Sequence, residues 1–187
     1  LRIVSGRAPE AACGLIVTVR EPPMLVLGID PGTATTGYGL VRESPDGALT
    51  AVAFGVITTP ARTPMPDRLL QLHTDITALI AHYQPAAAAI EALYFGKNVT
   101  TAITVAQGRG VILLALAQAG LPVREYKPAE IKQAIAGYGN ADKGQMQEMI
   151  RQLLRLDDIP RPDDAADGLG VAITDLNASR FERLAAG

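Results

Sequence analysis

The 187-residue sequence contains no tryptophan, and aromatic residues make up only 4% of it. Its core must therefore be aliphatic, and each aromatic side chain is worth locating. There is one cysteine, Cys13, so no internal disulfide can form, which suits a reducing compartment and a cytoplasmic location. Histidine occurs only at positions 73 and 82, which makes a zinc site a poor fit. No apolar run approaches the roughly 20 residues that cross a bilayer, so no membrane span is expected. A strong charge of either sign is also missing. The formal net charge is −2, which neither demands nor excludes a nucleic-acid partner.

What is present is apolar content, 48% of the residues, enough for a sizeable core at this length. One domain is the prior. The first 23 residues, LRIVSGRAPEAACGLIVTVREPP, read as an extension outside the fold. A secretory signal is a poor reading, because GLIVTV is short and no clean cleavage site follows it. A short extra strand at GLIVTV is the competing reading. The folded domain is expected over 24–180, with a C-terminal tail at 181–187.

From Met24 the pattern is a strand, MLVLGID, a turn at PGTAT, and a second strand, TGYGLVRE. Asp46 and Gly47 mark the next turn, and LTAVAFGVITT is a third strand. Leu69, Leu72, Ile76, Leu79 and Ile80 then recur at helical spacing, with Pro66 and Asp67 suited to the first turn of that helix. AAAAIEALYF reads as a buried strand and NVTTAITVAQGRGVILLALAQAG as a long helix stopped by Gly120. VREYKP is a short strand. PAEIKQAIAGYG and DKGQMQEMIRQLLRL are helices, and RPDDAADGLGVAITDLNASR is an amphipathic helix with Ala166, Leu169, Ile173 and Leu176 on one stripe. The order βββαβαβααα predicts a mixed α/β sheet, an antiparallel meander followed by parallel strands, with helices on both faces.

Four acids stand in apolar sequence, where an unpaired charge costs several kcal/mol. Asp30 ends the first strand and Glu91 the fourth. Asp164 and Asp167, or Asp163 and Asp167, share a face at the start of the last helix, and spacing alone leaves both pairs open. Asp163 is expected to cap that helix. Carboxylates brought together would repel one another unless a hard divalent cation joined them. Two such cations suit hydrolysis of a phosphodiester.

The ordered set GIDPGTATTGYGLV, AIEALYFGKNVTTAITVAQGRG, KPAEIKQAIAGYGNADKGQM and DDAADGLGVAIT resembles the RuvC family of Holliday-junction resolvases. The likeness covers Met24 to about Leu176. It implies an RNase H-like fold with a five-stranded sheet, a homodimer, and metal-dependent cleavage of four-way DNA junctions in recombination and repair. It implies Mg²⁺ or Mn²⁺ as cofactor, two ions per site, and association with the branch-migration complex of the same pathway. Asp30 and Glu91 match the first two family acids. Alignment through AADGL puts the last two at Asp164 and Asp167, where some members carry His at the third position.

Between residues 89 and 155 there are eight basic residues against five acidic ones, a modest basic region in which DNA could be held. Tyr94 and Phe95 are adjacent, in the loop LYFGKN directly after Glu91. An aromatic there can stack on or wedge between bases, and the resemblance assigns this pair to junction probing. Lys97 of the same loop joins the set of DNA contacts. Lys132 and Lys143 match family positions that hold phosphates near the scissile bond, and Arg109 is expected to contact the DNA backbone. The long helix with VILLALA is apolar around most of its circumference, so one face can pack on the sheet and another on a second copy. The competing functions are an actin-like phosphotransferase, a nuclease for RNA–DNA hybrids, and a junction-binding module without activity. The first requires a second phosphate loop that these residues do not contain. The presence of all four acids argues against the last.

Overall fold

The computed structural model describes residues 24–93 and 99–186. The proposed extension at 1–23, with GLIVTV, lies outside the described residues, as do Tyr94, Phe95 and Lys97. Ten elements follow in the predicted order: β1 Met24–Asp30, β2 Thr35–Glu43, β3 Leu49–Thr58, α1 Met65–Tyr83, β4 Ala87–Glu91, α2 Val99–Gln118, β5 Val123–Tyr126, α3 Pro128–Ala136, α4 Lys143–Leu153 and α5 Asp163–Ala186. They build one five-stranded sheet in the order β3-β2-β1-β4-β5. β1, β2 and β3 form the antiparallel meander, and β4 and β5 add in parallel beyond β1.

β1 is the central strand, and its residues alternate between two aliphatic layers. Leu25, Leu27 and Ile29 face α1 and α2, where Leu72, Ile76, Ile112 and Leu116 complete the layer. Val26 faces the opposite side, against Ile131 of α3, Ile150 of α4 and Leu169 and Ile173 of α5. Both faces of β1 are thus covered, which is why MLVLGI reads as a continuous apolar run rather than an alternating one.

α5 departs from the amphipathic expectation. Alanine, valine, leucine and isoleucine from Ala165 to Leu176 are buried on every side of the helix. The sheet covers one side of it, and α3 and α4 cover another, so the predicted stripe is only the sheet-facing part. The helix also continues to Ala186, so residues 181–186, read as a tail, are its last turns. Glu43, buried at the end of β2, anchors that end. It accepts hydrogen bonds from Arg180 at 2.6 Å and Arg183 at 2.7 Å.

Candidate metal centre and DNA-binding face

The site lies where three elements end or begin. Ile29 of β1 and Ile90 of β4 are register partners in a parallel pair, so Asp30 and Glu91 follow them side by side at the same sheet edge. The chain cannot continue as a strand past Asp30, because Pro31 and Gly32 form a turn. That turn is pinned by side chains: Thr36 Oγ1 donates to the Gly32 carbonyl at 2.6 Å, and Thr33 Oγ1 to the Thr104 carbonyl of α2 at 2.5 Å. The Thr33 carbonyl accepts from Thr59 Oγ1 at 2.5 Å, and Thr59 Oγ1 accepts from Arg68 Nε at 3.0 Å. Asp30 is therefore held at the end of a braced strand.

α5 delivers the other two acids, and glycine decides how close it comes. A Cβ at Gly37, the register partner of Asp30, would collide with the backbone carbonyl of Asp164. One at Gly168 would lie 2.6 Å from the Tyr38 backbone. A glycine, having no side chain, admits the close approach of a backbone or a phosphate. At Gly37 the visitor is the α5 backbone. One carboxylate oxygen each from Asp30, Asp164 and Asp167 consequently lies within 4.8 Å of the others. This triad takes Asp164, not Asp163. Glu91 lies outside the tight set, and the Asp30 charge beside it raises its pKa.

The electrostatics are those of like charges forced together. Burial, then the charges of Asp167 and Asp164, push the Asp30 carboxyl up to about 6. Burial, then Asp30 and Asp167, push Glu91 up to about 7. Burial also raises Asp167, opposed by the Lys143 ammonium. Oxygen-only donors at this spacing, reluctant to carry their charges unaided, fit a hard divalent cation.

Lys143 is fixed by the start of α4. Gln145 N donates to Asp142 Oδ1 at 2.9 Å and Asp142 N to Gln145 Oε1 at 3.0 Å, a reciprocal capping box that sets Lys143 as the first helical residue. Its ammonium lies 3.1 Å from Asp163 and 3.8 Å from Asp167. Asp163 was expected as a cap. It is instead the first residue of α5, and its carboxylate is engaged by Lys143 and, at 2.9 Å, by Gln147. Lys132 of α3 lies close enough to lower the pKa of Glu91. Arg109 is placed differently from expectation. Its side chain is 14% exposed and ion-paired to Glu125 of β5 at 2.6 Å.

Sequence reasoning missed a second polar group next to the site. Asp175, 1% exposed within α5, accepts a hydrogen bond from Tyr126 Oη at 2.9 Å. Arg124 reaches Asp175 at 3.6 Å and Glu182 at 2.8 Å. Tyr126 is the register partner of Glu91. The network thus ties the edge strand that flanks Glu91 to α5. The signal was available: Asp175 interrupts the apolar stretch GVAITDL as Asp30 ends MLVLGI.

Residues 26–175 match the family described as "Crossover junction endodeoxyribonuclease RuvC". A protein of that name from Roseiflexus sp. (strain RS-1) is 63% identical over 157 residues, which are 84% of this chain and 93% of the relative. The solved RuvC structure from Thermus thermophilus superposes with a TM-score of 0.80 at 33% identity, covering 85% of this chain and 97% of that one. The T. thermophilus protein in complex with Holliday junction substrate gives 0.78 at 30% identity, covering 84% and 96%.

Proposed function

We infer the chemistry of this chain from one premise: it belongs to the RuvC family of crossover junction endodeoxyribonucleases and is a nuclease of RNase H-like fold that resolves Holliday junctions. The observation that carries the mechanism is the convergence of Asp30, Asp164 and Asp167 within 4.8 Å, with Glu91 beside Asp30 at the end of the neighbouring strand. These four acids hold Mg²⁺ or Mn²⁺, two ions per site. When bound, such ions supply Lewis-acid charge for hydrolysis of a phosphodiester. The protein's own part is positional. The braced end of β1 and the close-packed start of α5 keep the carboxylates in place before DNA arrives, so little reorganisation is needed during reaction. Lys132 and Lys143 neutralise the phosphates flanking the cut.

The loop after Glu91 carries Tyr94, Phe95 and Lys97. β4 ends beside the metal centre at Glu91, and these loop residues probe an open crossover next to the scissile bond. α2 also supports a homodimer. Ile103, Gln107, Gly110, Leu114 and Ala117 follow a three–four spacing along its outer side, with Ile103 57% and Leu114 53% exposed. Among the described residues, no atom outside the local turn of α2 lies within 4 Å of a Cβ built at Gly110, which leaves room for a second helix to approach closely. A two-fold dimer presents two equivalent sites to the two cleavage points of a junction. The protein acts in the cytoplasm, with the branch-migration machinery of the same pathway.

The test is a synthetic four-way junction incubated with Mg²⁺ or Mn²⁺, its products resolved strand by strand. Paired cuts in two strands of like polarity are expected. Cutting of linear duplex or RNA–DNA hybrid at the same rate would overturn the junction reading.

A further inference from the structure

The network of Asp175, Tyr126 and Arg124 takes no part in the chemistry above, yet it begins one strand away from the acids. Asp175 is 1% exposed, in a stretch of α5 whose other residues are packed in the aliphatic core. Burial raises its carboxyl, opposed by the Tyr126 hydroxyl and the Arg124 guanidinium. A well-packed apolar residue in its place would avoid that desolvation. The contribution of Asp175 therefore lies in what it holds, and it holds the end of β5.

Glu91 depends on that end. The register of β4 with β1 stops at Ile90. The register with β5 runs one residue further, so that Glu91 pairs with Tyr126, and the Ala92 amide donates to the Tyr126 carbonyl at 2.8 Å. The backbone around Glu91 is thus fixed from the β5 side. β5 is itself a four-residue edge strand with β4 as its one neighbour in the sheet. So short an edge is weakly fixed by its ladder bonds alone. The hydrogen bond from Tyr126 Oη to Asp175 Oδ1, at 2.9 Å, fastens it to α5 as well. α5 also carries Asp164 and Asp167. A ring of direct links therefore runs from Glu91 through the Ala92 amide, Tyr126 and Asp175 to the helix that bears the other acids.

We propose that Tyr126 and Asp175 are positioning residues for the metal centre: their hydrogen bond sets the distance between Glu91 and the acids of α5. The proposal rests on the metal-dependent reading above. Glu91 is the acid that this ring governs most, because it lies outside the tight triad and at the last paired position of its strand. Arg124, 3.6 Å from Asp175, offsets the buried charge from the solvent side and is braced there by Ser179 and Glu182.

Tyr126→Phe removes only the donating hydroxyl. Asp175→Ala removes the acceptor, and Asp175→Asn keeps an acceptor oxygen in the same place. Ser179→Ala is the control, since it loosens the outer part of the network without reaching β5. Binding of Mn²⁺ to the full chain without DNA is followed by the electron paramagnetic resonance signal of the free ion. Tyr126→Phe and Asp175→Ala should weaken it about tenfold, as loss of a group that orients a ligand does. Asp175→Asn should recover most of that loss, and Ser179→Ala should bind Mn²⁺ as the wild type does, whatever its melting temperature. In the metal-free protein the Ala92 amide should exchange faster with solvent in Tyr126→Phe than in the wild type. Cleavage of a four-way junction by Tyr126→Phe should need more Mg²⁺ for half-maximal rate, with junction affinity in EDTA unchanged. If Tyr126→Phe binds Mn²⁺ as tightly as the wild type, or Ser179→Ala weakens binding equally, the network only stabilises the fold and the proposal is wrong. A wild type that binds no Mn²⁺ would instead overturn the metal-centre reading beneath it, so the two failures are distinct.

Discussion

Asp30→Asn should stabilise the protein in the absence of divalent cations, although it abolishes cleavage. The folded structure lifts the Asp30 carboxyl from its ordinary 3.8 to about 6, chiefly through burial and then through Asp167 and Asp164. In the unfolded chain the group ionises near 3.8. Between those values the folded state keeps a proton that the unfolded state has released, so stability falls as pH rises, and the loss is complete above about pH 6. The full difference corresponds to about 3 kcal/mol, of which roughly half is already present at pH 5. Asparagine carries no charge, so it removes most of this penalty. Water in the cleft screens part of the effect. A gain of about 2 kcal/mol at pH 8 is a reasonable expectation, equivalent to a rise of about 4–8 °C in melting temperature for a chain of this size. Thermal unfolding followed by circular dichroism in EDTA, at pH 5 and pH 8, measures it. The gain should be larger at pH 8. Addition of Mg²⁺ or Mn²⁺ should then stabilise the wild type more than the variant, because the variant has lost an anionic ligand. If Asp30→Asn is destabilised equally at both pH values, or gains as much from the cation as the wild type, the acids are not a mutually repelling cation site.

Three other outcomes follow from the same geometry. Asp164→Asn should abolish cleavage while leaving junction binding intact, whereas Asp163→Asn should retain most activity, since only Asp164 joins the acid triad; single-turnover cleavage and gel-shift assays would reveal the reverse ranking if it held. Gly37→Ala should cost about 1–3 kcal/mol or more by overpacking and should lose activity with stability, because the new methyl meets the Asp164 carbonyl; an unchanged denaturation midpoint would refute the contact. Lys143→Ala should weaken binding to all DNA and lower the salt slope by about one, whereas an unchanged slope would remove it from the phosphate contacts.

The order of elements was legible because each carries its own local signal. Alternating or continuous apolar runs bounded by Pro31, Gly47 and Gly120 marked strands and helix ends. The candidate acids were legible for a related reason: a charge inside apolar sequence is costly, so Asp30 and Glu91 stood out before any contact was known. Only the tertiary structure decided what those residues meet. Whether Asp163 or Asp164 turns to the site depends on the rotation of α5 about its axis. Backbone contacts at Gly37 and Gly168 set that rotation, and they join residues more than a hundred positions apart or on different elements. The ion pair of Arg109 depends on Glu125 arriving on an edge strand, and the burial of α5 on all sides depends on α3 and α4 closing over it. Such pairings carry no periodicity along the chain. Local sequence determined which segments form and which side chains needed a partner, and long-range packing determined which partner each one found.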